Sequence, residues 1–333
     1  MVVISVTTVK GFQTMKDTLV KIAYYYYKQN YTQGEIAKKM SMSRQRVNRL
    51  LKRVREEGII KIQIEGYNES YVELENMLEN QFSIKRVIIV PDTSEDALYE
   101  ALAMEGINYL KTIVKDHLNI GVSWGKTVYH LAQNLSMEGK KYENITVTQL
   151  VGGMSSKDGP RKSDEITYMI ADKLGAKPYF LFAPTFVRNL ALKEEYMKEE
   201  SIIDVFRQIE KIDVALLSIG EVSKYSSSLK THLIEDRDYN ALMEAGSVGN
   251  ISLRYFDENG EILDCDLNRS VVGIEAEQYR KIPEVVAICG GKEKEKAILA
   301  ALRGGYIDTL ITNETTARQV LALNKGKVTR DDQ

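Results

Sequence analysis

The chain has 333 residues, 44% hydrophobic and 28% charged side chains, with 45 Lys+Arg against 47 Asp+Glu, the balance of a globular protein of about two domains. No apolar run reaches the roughly 18 residues that a membrane span needs. Two cysteines (Cys265 and Cys289) without a CxxC, and three scattered histidines, argue against a disulfide framework or zinc site and for a reducing, cytoplasmic setting. Both cysteines lie in apolar stretches and read as packing residues. The small net charge hides an asymmetry: residues 1–66 carry 13 Lys+Arg against 5 Asp+Glu, and the remainder 32 against 42. A basic head on an acidic body suits a nucleic-acid reader joined to a sensing domain, although a basic solvated face gives the same balance.

Residues 1–14 lack the features of a signal peptide and are expected to form a loose tail, with Met15 an alternative start. Residues 15–66 read as a helix-turn-helix domain. A first helix at 15–29 places Leu19, Ile22, Ala23, Tyr26 and Tyr27 at helical spacing. Thr32 and Glu35 form a capping box for a second helix to about Met40, and Ser43 caps a third that Gly58 ends. Small Ala37 lets the last two helices cross closely, over a core of Ile36, Met40, Met42, Val47, Leu50 and Leu51. That leaves Ser43, Arg44, Gln45, Arg46, Asn48 and Arg49 outside, residue types that suit base edges in a major groove of duplex DNA. Gln33, opening the preceding helix, is placed to meet a phosphate. A helical protein-binding module is the competing reading. Ile59–Ile64 reads as a strand or wing, and a helix at 68–81, within a 67–85 connector, leads into the second domain.

From residue 86 to about 325, short apolar runs at 87–90, 120–123, 145–151, 179–182, 214–219, 248–256, 285–288 and 309–312 alternate with helical stretches. Helices fit at 97–115, 125–135, 164–174, 293–303 and 315–323, leaving 326–333 as a second loose tail. This alternation predicts an α/β domain with a mainly parallel sheet covered on both faces. Three glycine turns follow strands. Gly121-Val-Ser-Trp-Gly-Lys-Thr127 opens a helix, where Gly121 and Gly125 permit a sharp turn and close approach. Free N–H groups there, with the Ser123 and Thr127 hydroxyls, suit a phosphate. Gly152-Gly153 closes another strand, and Gly290-Gly-Lys-Glu-Lys294 puts Lys292 at a further helix start. Such turns are expected to converge on one crevice at the carboxyl ends of the strands.

These pieces, with Asp213–Gly220, Gly246–Asp257 and the closing run 287–317, resemble the SorC family of sugar-responsive regulators, grouped with DeoR-type regulators, over residues 15–325. The resemblance implies a sensing domain similar to sugar-phosphate isomerases, tetramers on operator DNA, and a phosphorylated sugar or related metabolite as effector; no cofactor is expected. It further implies that Ser123, Gly125 and Thr127 hold phosphate, that Trp124 packs on the ligand, and that Lys292 meets the phosphate or a hydroxyl. Trp124, the single tryptophan, equally suits a core anchor. Asn250 departs from the family, which commonly has Asp in this turn to bind sugar hydroxyls.

The reading favoured is a DNA-binding regulator, a repressor, gated by a phosphorylated metabolite and assembled as a dimer or tetramer away from membranes. A sugar-phosphate isomerase-like enzyme fused to a reader is the alternative, with Asp158, Asp213 and Glu221 as candidate bases. A constitutive DNA-binding protein whose α/β domain only oligomerises is the third.

Overall fold

The computed structural model describes residues 2–6, 13–64, 70–137, 139–153 and 162–328. The chain divides into two units, Met1–Ser70 and Tyr71–Gln333.

In the first unit, strand β1 (Val2–Val6) pairs antiparallel with β2 (Ile60–Ile64), around helices α1 (Gln13–Ala23), α2 (Gln33–Lys39) and α3 (Arg44–Glu56). The segment expected to be a loose tail thus holds a strand, in keeping with its run of β-branched residues Val2, Val3, Ile4 and Val6. Helix α1 ends in a π-helical turn, Tyr24–Lys28, that carries the four consecutive tyrosines. Thr32 accepts from the Glu35 N–H (3.3 Å), and Glu35 accepts from the Thr32 N–H (2.7 Å), which closes the capping box. Ser41, at φ 50°, makes the turn into α3, and Ser43 Oγ caps it through the Arg46 N–H at 3.2 Å. Leu19, Ile22, Ile36, Val47 and Val54 are wholly buried where the three helices meet. Each contributes about 1.5–3 kcal/mol of burial, so the core, not helix propensity, holds these short helices.

In the second unit, seven parallel strands form one sheet. They are β3 (Arg86–Val90), β4 (Asn119–Val122), β5 (Thr146–Gln149), β6 (Lys177–Tyr179), β7 (Val214–Leu217), β11 (Glu284–Ile288) and β12 (Thr309–Asn313), and their order is β3-β12-β11-β7-β4-β5-β6. The strands are apolar through most of their length because helices cover both faces. From β4 the chain winds outward through β5 to β6. It then returns to the other side of β4 and winds through β7, β11 and β12. Winding therefore reverses between β4 and β7, and the crevice beyond their carboxyl ends is where such sheets bind ligands.

The connector reading needs correction. Helix Val72–Phe82 belongs to the second unit, where Leu74 and Leu78 enter its core. Glu75 and Glu79 accept the N–H groups of Ile89 and Val87 on edge strand β3, each at 2.9 Å. Four residues of helix rise about 6 Å and two of strand about 6.6 Å, so the spacings match and the helix seals an open sheet edge.

Two predicted strands are also divided. Residues 214–219 split at Ser218 into β7 and β8 (Ile219–Glu221), which lie in different sheets. Residues 248–256 form a hairpin, β9 (Gly249–Ile251) and β10 (Arg254–Phe256), and β8, β9 and β10 make a separate antiparallel sheet. Ser252 and Leu253 turn the hairpin at φ 47° and 65° without the glycine or asparagine such a turn favours. Helix Glu314–Val328 runs past residue 326 into the expected second tail. Among the described residues no helix is long and apolar enough to cross a membrane.

Candidate functional sites

In the first unit, Ser43, Arg44, Gln45, Arg46, Asn48 and Arg49 are all exposed along the first half of α3, and Gln33 is half-buried at the start of α2. Position on the helix separates the basic residues. Toward its end, Arg53 pairs with Glu57 (Nε to Oε1, 2.9 Å) and Lys52 with Glu56 at 3.7 Å. Arg44, Arg46 and Arg49 have no carboxylate partner among the described residues. Their guanidinium donors are thus open to an external acceptor.

In the second unit, a cavity of about 1020 Å³ opens at the carboxyl ends of β3, β4, β7, β11 and β12. It draws Trp124, Gly125, Thr127, Asn250 and Lys292 together. Gly125, at φ 152°, lets helix Lys126–Asn134 start against Ser218, and no side chain caps this helix. Helix Glu295–Arg303 likewise starts without a side-chain cap. Before it, Gly291 (φ 99°) and Glu293 (φ 63°) are left-handed and Lys294 returns to φ −86°. The Gly291 N–H is already bonded to Asn313 Oδ1 (2.9 Å) and Thr316 Oγ1 (3.1 Å), but left-handed Glu293 followed by right-handed Lys294 is the backbone pattern that turns successive N–H groups toward one point, an anion-binding concavity. Lys292 is exposed at its lip. Lys126 Nζ lies 5.1 Å from the Tyr99 ring centre.

The remaining residues expected here are elsewhere or otherwise engaged. Gly121 lies within β4, where a Cβ would come 2.6 Å from Ile212 Cδ1, so packing explains this glycine. Ser123 is buried behind the wall, and its Oγ accepts from Ser252 Oγ at 2.8 Å. The Thr127 hydroxyl spends its one proton on the Ile288 carbonyl at 2.5 Å, which leaves only its backbone N–H for an anion. Gly152 and Gly153 do not join the cavity. Their N–H groups bond to Val272 O (2.9 Å) and Ala183 O (2.8 Å), and a Cβ on Gly152 would meet Ala183 O at 2.6 Å. Two of the three glycine turns converge. Trp124 both lines the cavity and packs on the two apolar clusters beside the sheet.

Several lining groups escaped the sequence reading. Asp92 accepts from Asn313 Nδ2 (2.5 Å), the Thr315 N–H (3.2 Å) and the Thr315 hydroxyl. Desolvation alone would raise its pKa, but these hydrogen bonds outweigh it and hold the carboxyl below the usual range. Lys294 pairs with Glu221 and donates to Ile219 O at 2.8 Å. Asn250 Oδ1 accepts the Leu253 N–H at 3.2 Å. Burial pushes the Cys289 thiol up to about 11, so it stays protonated. Of the two candidate bases among the described residues, Glu221 reaches the cavity and Asp213 does not. Asp213 binds Asn119 at the opposite end of the sheet, its Oδ2 accepting the backbone N–H at 2.9 Å, and Asp158 lies outside the described residues.

A duplex-reading helix pair in one unit and a ligand cavity at a sheet switch point in the other define an effector-controlled DNA-binding regulator. Residues 67–322 match the family model described as a putative sugar-binding domain, and 17–57 match that of sigma-70 region 4, a helix-turn-helix. The chain belongs to that sugar-binding family, whose members here are SorC/DeoR-type transcriptional regulators. It is 31% identical to the sorbitol operon regulator of Klebsiella pneumoniae, over 91% of this chain and 97% of that one. It is 29% identical to the deoxyribonucleoside regulator of Bacillus subtilis, over 91% and 96%. The full-length sorbitol operon regulator structure from Klebsiella pneumoniae superposes with a TM-score of 0.74 at 28% identity, over 92% of this chain and 98% of that one.

Proposed function

We propose that this chain is a cytoplasmic repressor whose operator binding is relieved by a phosphorylated sugar, and that it acts as a dimer or tetramer. The observation that carries this reading is the pair of uncapped helix starts at one cavity, with the left-handed turn at Gly291–Lys294 beside exposed Lys292. Helix N-termini and nested N–H groups favour a dianion such as phosphate. Gly125, Lys126, the Thr127 N–H and Lys292 would hold the phosphate; Trp124 and Asn250 would meet the sugar. Operator contacts fall to Gln33, Ser43, Arg44, Gln45, Arg46, Asn48 and Arg49. We read the site as one that binds its ligand without turning it over, because Glu221, the sequence-predicted base that reaches the cavity among the described residues, is already engaged by Lys294. The effector favours one quaternary arrangement, and that differential affinity shifts the readers relative to paired half-sites.

Thermal unfolding of the full chain across a panel of sugar phosphates and their unphosphorylated parents tests this. At a ligand concentration 100 times Kd the folded state gains about 2.7 kcal/mol, a rise of roughly 5–10 °C for a unit of this size. A selective rise with one phosphorylated compound, which then releases operator DNA, is expected. Equal response to the unphosphorylated parent would remove the phosphate from the reading, and steady consumption of the compound would replace binding with catalysis.

A further inference from the structure

The charged side chains of the cavity are sorted by depth. Lys292 is exposed at the lip and has no carboxylate partner among the described residues. Deeper stand Glu221 on β8 and Lys294 at the start of helix Glu295–Arg303, whose side chains are only 14% and 19% exposed, and buried Asn250 on β9. Lys294 uses one donor on Ile219 O and another on Glu221, and a third remains. Glu221 keeps further acceptor capacity beside it. The inner wall is therefore balanced in charge, while the rest of the lining mixes Lys126, Lys230 and Lys292 with Asp92, Glu95, Glu293 and Glu295, and the two uncapped helix starts add N–H donors.

We propose that the Glu221–Lys294 pair is an anion filter: it receives the uncharged, hydroxyl-bearing end of the effector and rejects effectors whose second end is a carboxylate or another phosphate. The inference rests on reading the cavity as a phosphate-holding site, and it adds the chemical class of the opposite end. A hydroxyl can donate to Glu221 while accepting from Lys294, leaving the pair intact. An anion there must either face Glu221 at short range or draw Lys294 away. The second course strands a largely buried carboxylate without its counter-charge, which costs far more than an exchange in water. Asn250 extends the same chemistry, since its amide offers hydrogen bonds without charge. Gly220 admits it: a Cβ there would collide with the Asn250 amide.

The test is isothermal titration of the full-length protein with matched phosphates. Glucose 6-phosphate is compared with 6-phosphogluconate, and ribose 5-phosphate with ribose 1,5-bisphosphate, with inorganic phosphate as baseline. In the unaltered protein, the neutral-ended member of a pair is expected to bind at least about 10-fold more tightly than its acid-ended partner, as for a site that would strand a buried charge. Glu221→Gln should close that gap to within about 3-fold, mainly by strengthening the acid-ended member. Glu221→Asp, which keeps the charge, should retain the preference and separates charge from folding defects. Equal or tighter binding of the acid-ended members to the unaltered protein overturns the filter, as does an unchanged ratio in Glu221→Gln. No binding by any compound, inorganic phosphate included, overturns the phosphate reading and the filter with it.

Discussion

The two ends of the seven-stranded sheet differ in whether their polar groups are all spent on one another. At the amino ends, Glu284 accepts from Thr309 Oγ1 (2.6 Å), Tyr109 Oη (3.1 Å) and Lys85 Nζ (3.1 Å). Lys85 also reaches Asp308 at 3.1 Å and the Pro283 carbonyl, and Asp308 accepts the Val285 N–H at 2.9 Å. Those groups satisfy one another. At the carboxyl ends, two helices start without caps and Lys292 stands free above a cavity. Buried polar groups that bond internally stabilise a fold, whereas open ones retain their capacity for a ligand. Helix α3 repeats the contrast, with Arg53 paired to Glu57 and Arg46 without a carboxylate partner among the described residues.

The largest expected effect comes from breaking the closed end. Glu284→Ala removes the shared acceptor of three donors, two of them largely buried, and should cost about 2–4 kcal/mol. Thermal unfolding should fall by roughly 5–10 °C with phosphate binding unchanged. A shift below 1 °C would mean that water replaces the carboxylate and the end is not closed. Next in size is the unpaired arginine: Arg46→Ala should weaken operator binding by about 1–3 kcal/mol and leave ligand binding intact. Its paired counterpart Arg53→Ala should weaken it far less. Equal losses would show that net charge alone drives DNA binding. At the open end, Lys292→Ala should lower phosphate affinity about 10-fold while moving stability by no more than about 0.5 kcal/mol. A matching loss of stability would make this lysine a structural one.

What the sequence disclosed follows the same division. The capping box at Thr32 and Glu35 and the Ser43 cap are local signals and lie where they were read; the alternation of strands and helices holds as a pattern, although two expected strands divide and the one expected at 179–182 lies at Lys177–Tyr179. The hairpin at Ser252-Leu253 was hidden because its left-handed residues are not the types that mark such a turn. The edge seal by Glu75 and Glu79 was hidden because a carboxylate four residues from another looks like any solvated helix face until a strand lies beside it. At the site, the glycine turns after β4 and β11 were legible from composition. The Glu221–Lys294 pair joins β8 to a helix start across 73 positions, and no local pattern announces it. Gly152-Gly153 looked like a ligand turn because close backbone packing and close ligand approach demand the same residue.

The smallest effect separates the two ends by pH. Asp92 lies at the open end, where hydrogen bonds from Thr315 and Asn313 overcome the desolvation that would raise its pKa and hold it below 3.8. The unfolded chain thus binds this proton more readily. The stability Asp92 contributes is complete above 3.8 and is lost as pH falls through the lower folded value. Lys85 lies at the closed end, where Asp308 and Glu284 overcome a desolvation that would lower its pKa and raise it above 10.5. Its contribution is complete below 10.5 and is lost as pH rises through the higher folded value. Both side chains are partly exposed, so each effect should stay below about 1 kcal/mol after screening. Urea unfolding midpoints measured down to acid and up to alkaline pH should therefore show two independent limbs. Asp92→Asn should reduce the acid limb alone, which Asp238 also feeds, and Lys85→Met the alkaline limb alone. If either variant reduced both limbs, the open and closed ends would be coupled through the sheet, and their separation into a binding end and a stabilising end would fail.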